Sequence, residues 1–271
     1  MEIFDLNLKE VFRAARLKKN QVAKFLIIPD KHYPNYCKDT HEATMEFAKA
    51  YKPHGLISIG DWFEMGAMSH WEGNANFELL RQELDGGVDL LNDLARACGK
   101  NLVFKAITLG NHELWYKRLI SKQAPGLRKF LKQSGMDMHF GNVSGLTEAG
   151  YDVFEYNDGL EIGDTIFTHG IYAGAHHAKK HAEVVGKNVI YGHLESQQLH
   201  TSITARGVTQ GISIGTQRDE KACSFMNGRP SNWVAGLAMV EFRYDGTSTV
   251  YTPRITGGQF SFNGKLYGGI K

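Results

Sequence analysis

The chain has 271 residues, of which 42% are hydrophobic and 22% are charged, and its formal net charge is +2. This composition excludes a disordered or fibrous protein, and so balanced a charge does not by itself indicate a nucleic-acid or membrane partner. The three cysteines lie far apart in the sequence. We therefore expect neither a disulfide framework nor a paired-cysteine metal site, and we expect a cytoplasmic location. The apolar runs are too short for a membrane span, and the N-terminus lacks the apolar core of a signal peptide.

The first half of the chain predicts helices alternating with short buried strands. A helix is expected over residues 6–19, within a basic N-terminal helical extension at residues 1–23 that precedes one domain at residues 24–271. The clearest helix spans residues 77–98, where apolar residues recur at three-, four- and seven-residue spacings. Buried strands are expected within KFLIIPD, GLISIGD and NLVFKAITLGNHE, with further helices near residues 39–51 and around Trp115 and Tyr116.

The second half of the chain is richer in predicted strands. One helix is expected near residues 174–185. Strand–helix alternation followed by strand-rich sequence predicts a layered α/β fold with a mixed sheet or two facing sheets. The predicted strands are 151–156, 160–168, 188–191, 199–204, 207–214, 233–243 and 248–256.

Five short segments place metal-ligating residue types directly after predicted strands. In α/β sheets, ligands bind beyond the carboxyl ends of the strands, where these segments are expected. Their carboxylate, amide and imidazole groups suit Mn, Fe, Zn or Ni better than Ca, and one aspartate can bridge two cations. The segments are Asp30-Lys31-His32, Gly60-Asp61-Trp62-Phe63-Glu64, Gly110-Asn111-His112-Glu113, Thr168-His169-Gly170 and Gly192-His193-Leu194-Glu195.

Each segment taken singly has an ordinary alternative. Asp61 can cap a helix, and an isolated DxH or HG string occurs in many turns and strand ends. GNHE is more restrictive, although Asn111 and His112 can also cap a helix. The occurrence of all five segments in this order, each after a strand, favours a functional site.

This ordered series, DxH, GDxxE, GNHE, HG and GH, resembles the calcineurin-like metallophosphoesterase superfamily over residues 24 to about 195. The later segments GRPSNWVAGLAMVEF and ITGGQFSFNGKLYG are similar to those of small metallophosphoesterases often carried by phages and prophages. If the protein is phage-borne, the expected location is the bacterial host cytoplasm. The resemblance implies an α/β fold, a four-layer α/β/β/α sandwich with two mixed β-sheets. It also implies a hydrolase that cleaves a phosphate mono- or diester, using a hydroxide bound at a dinuclear metal centre.

The resemblance also implies roles for individual residues. His112 would face the substrate as a general acid or as a donor to the phosphoryl oxygens, which is worth ~10²–10⁴-fold in rate. The carboxylate of Glu64 would orient His112. The metal ligands that the resemblance implies are Asp30 and His32 on the first ion, Asp61 as the bridge, and Asn111, His169 and His193 on the second.

One position departs from the family pattern. The fifth motif usually has the form GHxH, with the second histidine on the first metal, whereas this chain has Glu195 there. If Glu195 is a ligand, the first site is harder and favours Mn or Mg over Zn. Alternatively, His200 folds back to replace the missing histidine, or the first site is under-occupied and the enzyme is vestigial. We expect two divalent ions, with Mn favoured and Mg, Fe, Zn or Ni as alternatives.

The remaining histidines carry weaker predictions. His176, His177 and His181 share a predicted helix with Lys179 and Lys180, and a solvated face is favoured over a patch that contacts substrate phosphates. Four isolated histidines are expected at the surface or the edge of the core: His41, His54, His70 and His139.

Residues 114–133 contain six basic residues and no acid, directly after GNHE. Basic residues interleaved with aromatics suit a nucleic-acid strand, because base stacking is worth ~1–3 kcal/mol per base. A basic face in solvent with aromatics in the core explains the pattern equally well. The residues concerned are Lys117, Arg118, Lys122, Arg128, Lys129 and Lys132, with Trp62, Phe63, Trp71, Trp115 and Tyr116.

Two functions from different classes follow from these observations. The first is a metal-dependent phosphoesterase, a phosphatase or a nuclease, that acts on DNA, RNA or nucleotides. The second is a non-catalytic module that binds phosphate or nucleic acid on a degenerate phosphoesterase scaffold. His112, Glu64 and Asn111 favour the first, whereas Glu195 favours the second. No membrane partner is expected, and the oligomeric state is not predicted.

Overall fold

A computed structural model describes residues 1–68, 77–122, 126, 129, 130, 133, 134, 138–205, 207–223 and 231–269. Two six-stranded mixed sheets and one small hairpin form the framework. The helices are α1 Leu8–Ala14, α2 Lys38–Tyr51, α3 Phe77–Cys98, α4 Asn111–Lys122, α5 Phe140–Ser144 and α6 His177–Val185. The strands are β1 Ile3–Leu6, β2 Ala23–Ile28, β3 Gly55–Ser58, β4 Phe104–Thr108, β5 Asp152–Phe154, β6 Gly159–Ile162, β7 Thr165–Thr168, β8 Asn188–Tyr191, β9 Gln197–Thr204, β10 Gly207–Ile214, β11 Ala238–Phe242, β12 Ser248–Tyr251, β13 Phe260–Phe262 and β14 Lys265–Tyr267.

The first sheet has the strand order β12-β11-β2-β3-β4-β5. Its strands β2 to β5 are parallel, while β11 and β12 continue the sheet in antiparallel fashion. The second sheet has the order β1-β6-β7-β8-β10-β9, with β7, β8 and β10 parallel. Because parallel strands end at a common edge, the loops after β2, β3 and β4 lie side by side, as do those after β7 and β8.

Strand β2 contains an apolar run from Phe25 to Ile28. Phe25 and Ile27 belong to the core between the two sheets, whereas Leu26 and Ile28 belong to the core beneath helices α2 and α3. A strand covered on both faces needs apolar residues at every position. Helix α6 packs on the outer face of the second sheet, where Ala178 is fully buried. The layers therefore follow the order helix, sheet, sheet, helix, and the predicted four-layer α/β sandwich is confirmed.

The N-terminal segment differs from the predicted helix over residues 6–19. Residues Ile3–Leu6 form β1, which pairs in parallel with β6, and α1 ends at Ala14. Phe12 is buried in the core between the sheets. The helical periodicity of the segment was visible in the sequence, but its pairing with a strand over 150 positions away was not. The division between residues 23 and 24 stays a prediction.

The single strand predicted over residues 160–168 is wrong. Residues 160–168 instead lie in an antiparallel hairpin formed by β6 and β7, in which Leu160 pairs with Phe167. The chain reverses at Gly163, whose φ of +58° is easily adopted only by glycine. Helix α5 and the hairpin β13–β14 were not predicted. None of the described helices combines the length and apolar character needed to cross a membrane.

Candidate metal centre

Two groups of potential ligands share one carboxylate. Ligand atoms of Asp30, His32 and Asp61 lie within 4.8 Å of one another, and so do those of Asp61, His169 and His193. These residues follow β2, β3, β7 and β8, so the two sheets bring their strand ends to one place. Two-metal hydrolytic sites share a carboxylate in this way, with the ions ~3.5–4 Å apart.

Two further predicted ligands lie at the same place. The Oδ1 atom of Asn111, the first residue of α4, is 3.0 Å from Nε2 of His169. The Oε1 atom of Glu195 is 3.6 Å from Nε2 of His32. His200 lies on β9 on the same face as Gln198, whose side chain bonds to helix α6. The structure therefore brings Glu195 toward the centre and directs His200 to the helix-covered face.

The contact between His112 and Glu64 differs from the one expected. The Nδ1–H of His112 donates to the main-chain carbonyl of Glu64 at 2.6 Å, rather than to its carboxylate. The carboxylate is engaged elsewhere, because its Oε2 lies 3.1 Å from Nδ1 of His32. The His112 ring stacks on Trp115 with centroids 4.2 Å apart. His112 is thus oriented by a main-chain oxygen and an indole ring.

Arg218 is a site residue that the sequence analysis missed. Its guanidinium donates to Oε1 of Glu64 at 2.6 Å and lies 3.6 Å from Oε1 of Glu195. Both carboxylates also face His32, so the four side chains close a ring of contacts around the first group of ligands. The one available signal was that Arg218 follows a strand, as the other site segments do.

Glu113 connects the loops after β3 and β4. Its buried carboxylate accepts backbone N–H groups from Asp61 at 3.1 Å, Phe63 at 3.0 Å and Gly110 at 2.7 Å. The last residue of GNHE therefore has a positioning role that the sequence analysis did not assign.

The backbone of the centre adopts costly conformations. Positive φ values are uncommon for residues other than glycine, and they cluster where surrounding structure enforces a functional geometry. The site residues with positive φ are His32 (54°), Asp61 (46°), His193 (70°) and Glu195 (56°).

Two glycines lie against the acids of the centre. A Cβ at Gly110 would overlap Asp61, and one at Gly192 would overlap the carboxylate of Asp30. This close approach explains the glycines of the GN and GH segments.

Burial and the charges of neighbouring groups shift the pKa values of the carboxyl groups and of one histidine in the centre. Burial raises the pKa of Asp30 to about 7, and burial with the neighbouring Asp30 charge raises the pKa of Glu195 well above its usual range. Burial opposes the charge on His169 too, but Asp61 and Asp30 outweigh it and raise that pKa to about 10. The same His169 charge holds the pKa of Asp61 well below its usual range, although burial acts in the opposite direction.

The donor atoms of the centre fit divalent cations. Three buried atoms of the centre have no hydrogen-bond partner within the described part of the chain. They are Nε2 of His32, Nδ1 of His193 and Oε2 of Glu195. Buried polar atoms normally have a hydrogen-bond partner or bind an ion. Imidazole nitrogen and carboxylate oxygen are both ligands of divalent metal ions. These atoms and the two groups that share Asp61 are therefore compatible with divalent metal ions.

The histidines of helix α6 correct the predicted solvated face. Of the five residues in that prediction, His177 and His181 are buried, whereas His176, Lys179 and Lys180 are exposed. The reason is their four-residue spacing, which places both buried rings on the face that packs on the second sheet. Of the isolated histidines, His41 and His54 are buried and His139 is half-buried, while His70 lies outside the described residues.

The basic and aromatic residues separate in the structure. Lys117, Arg118 and Lys122 on α4 are exposed, and Lys117 pairs with Glu155 at 2.8 Å. Most of the aromatics belong to the core, including Trp62, Phe63 and Tyr116, whereas Trp115 is half-buried beside His112. Arg128, Lys132, Trp71 and the start of the GRPSNWV segment lie outside the described residues.

No family model matches the chain, and no curated protein matches it. Among solved structures, vacuolar protein sorting 29 from Cryptosporidium parvum is 10% identical, with 92% of this chain and 100% of that chain covered and a TM-score of 0.46. Vps29 of Chaetomium thermophilum is 8% identical, with coverages of 84% and 96% and a TM-score of 0.39. The protein TT1561 of Thermus thermophilus is 9% identical, with coverages of 85% and 98% and a TM-score of 0.34. These likenesses carry no part of the functional proposal, which rests on the geometry of the centre.

Proposed function

We propose that the chain is a metal-dependent phosphoesterase that hydrolyses a phosphate mono- or diester. The observation that carries the proposal is the pair of ligand groups that share Asp61. Asp30, His32 and Asp61, with Glu195, would hold one ion, and Asp61, Asn111, His169 and His193 would hold the other. Bound divalent cations polarise a phosphoryl group and lower the pKa of water.

His112 is the residue proposed to move a proton. Its Nδ1 is committed to the Glu64 carbonyl, so Nε2 is the nitrogen left for the substrate. In the imidazolium form, Nε2–H can donate to the leaving oxygen or to a phosphoryl oxygen. Its main-chain N–H donates to Oδ1 of Asp61 at 2.9 Å, which keeps the ring close to the shared ligand.

The substrate proposed is a nucleic acid or a nucleotide. Helix α4 begins at Asn111 and His112, and the same helix carries the exposed Lys117, Arg118 and Lys122. Phosphate groups beside the scissile bond would meet these cations. Manganese is the ion proposed to work best, because Glu195 adds a hard oxygen donor.

A non-catalytic phosphate-binding module is the second candidate. Glu195 favours it, because this carboxylate stands where related enzymes place a metal-binding histidine and is held by Arg218. Such a module would need neither a positioned His112 nor the ring of contacts around His32. It would bind phosphate esters without cleaving them.

A screen of metals against substrates tests the proposal. Mn²⁺, Mg²⁺, Zn²⁺ and Ni²⁺ would each be combined with a chromogenic monoester, a diester, cyclic nucleotides and labelled DNA and RNA. We expect turnover that a chelator abolishes and that Asp61→Asn and His112→Ala reduce strongly. Binding of esters without turnover, under every metal, would favour the module instead. If the protein neither binds nor hydrolyses any of these esters, both candidate functions are refuted.

A further inference from the structure

His181 holds the segment that follows β7. Its Nε2 accepts the main-chain N–H of Ile171 at 3.0 Å and of Tyr172 at 3.4 Å, and its Nδ1–H donates to the carbonyl of His177 at 2.8 Å. The ring is fully buried and stacks on Tyr191, with centroids 3.8 Å apart. Both nitrogens are therefore used, one as donor and one as acceptor, as the neutral ring requires. Ile171 is two residues after the proposed ligand His169.

His177 holds the segment that follows β8. Its Nδ1 lies 2.6 Å from the hydroxyl of Tyr191, and its Nε2 lies 3.3 Å from the hydroxyl of Ser196. Tyr191 and Ser196 stand on either side of the turn that carries His193 and Glu195. One buried imidazole thus joins the two ends of this turn.

The two histidines form one continuous network. It extends from Ile171 through His181, Tyr191 and His177 to Ser196, and Ser213 continues it by donating to the Ser196 carbonyl at 2.6 Å. Neither histidine belongs to the two groups that share Asp61. Both come from a single turn of helix α6, so one rigid element spans the two ligand-bearing segments of the second sheet.

We propose that His177 and His181 are positioning residues that set the geometry of His169, His193 and Glu195 from the helix side of the sheet. The inference rests on the proposed metal centre. His193 and Glu195 both have positive φ values. Such backbone conformations are costly for residues other than glycine and persist only where surrounding contacts stabilise them. Residues that orient metal ligands from outside the coordination sphere typically contribute ~10–100-fold to metal affinity.

His54 provides a matched control. It is also a buried histidine that accepts a main-chain N–H, from Lys24 at 2.9 Å. It lies just before β3 and bonds to β2, at the strand ends opposite the metal centre. A leucine at either position removes one acceptor, so a general loss of stability would appear in both variants.

The experiment compares His181→Leu, His181→Gln and His54→Leu with the unchanged protein. Mn²⁺ affinity would be measured by titration calorimetry, and main-chain amide exchange would be followed over residues 169–172 and 192–196. We expect His181→Leu to weaken Mn²⁺ binding by ~10–100-fold and to accelerate exchange in both segments. His181→Gln keeps an acceptor and should recover part of both effects, and His54→Leu should change neither.

Unchanged Mn²⁺ affinity in a folded His181→Leu variant would overturn the inference. An equal loss in His54→Leu would also overturn it, because the effect would then be one of global stability. If the unchanged protein binds no Mn²⁺, the proposed manganese centre itself fails. Amide exchange then decides alone whether His181 holds the segment after His169.

Discussion

Arg218 donates to Glu64 at 2.6 Å across 154 positions of sequence. This contact leaves the other oxygen of Glu64 facing Nδ1 of His32 at 3.1 Å. The guanidinium thereby supplies a positive charge to a largely buried carboxylate whose other close neighbour, His32, is a neutral imidazole. The orientation of a proposed metal ligand therefore depends on a cation from a distant strand end.

Breaking this pair should destabilise the protein. Arg218→Met leaves the largely buried carboxylate of Glu64 without its cation, and breaking such a pair typically costs about 3–5 kcal/mol of unfolding free energy. Urea unfolding in the presence of a chelator measures this loss, and added Mn²⁺ should recover part of it. Arg243, which is exposed and bonds to threonines, supplies the control, since Arg243→Met should change stability by less than about 0.5 kcal/mol. Equal effects of the two substitutions would contradict this account.

Asp61 is the one proposed ligand common to both groups, so its loss should affect both ions. Asp61→Ala should release nearly all of the bound metal, whereas Asp30→Asn should release about one of two ions. Elemental analysis of the purified variants after equilibration with Mn²⁺ gives the stoichiometry. A full metal content in Asp61→Ala would refute the shared ligand.

His112 should be dispensable for metal but not for turnover. Removing a proton donor that acts in the transition state lowers kcat and kcat/KM together, by ~10²–10⁴-fold. His112→Ala should therefore bind Mn²⁺ normally and turn over substrate slowly in steady-state assays. His176→Ala, at an exposed position, is the control and should keep full activity. Loss of metal from His112→Ala would instead make His112 a ligand.

Glu195 should determine which metal works best. Glu195→His exchanges a hard oxygen donor for an imidazole, so the activity ranking should shift from Mn or Mg toward Zn or Ni. Glu195→Ala should lose more activity than Glu195→His. Metal titrations of activity would compare both variants with His200→Ala. A harmless Glu195→Ala together with an inactive His200→Ala would transfer the ligand role to His200.

His54 should make the protein less stable in mild acid. Burial, and then the nearby Lys24 charge, lower its pKa to about 4, whereas an unfolded histidine titrates near 6.5. Between these values the unfolded chain takes up a proton and the folded chain does not. The contribution of the neutral His54 ring to the unfolding free energy is therefore fully present above the pKa of the unfolded histidine. It is lost as the pH falls toward 4. His54→Gln should flatten the fall in unfolding free energy between about pH 7 and about pH 4.5, and identical pH slopes would contradict this prediction.

Elements whose signal is local could be predicted from the amino-acid sequence. The spacing of apolar residues in helix α3 predicted its limits, Phe77 and Cys98, because a helical face is encoded within a few turns. The apolar run from Phe25 to Ile28 predicted a buried strand, which β2 is. The candidate ligands were also recognisable, since each follows such a strand and parallel strands end at a common edge.

The contacts between separate segments could not be predicted, because they depend on how the chain folds. The pairing of β1 with β6, the bonds of His181 to Ile171, and the contact of Arg218 with Glu64 all join segments that share no local pattern. The sequence shows that a residue is charged or apolar, but its partner depends on strand order and layer stacking. For the same reason the solvated face predicted around His177 was wrong. A polar ring is buried when the fold supplies both a donor and an acceptor for it, and here these come from β8 and from the segment after it.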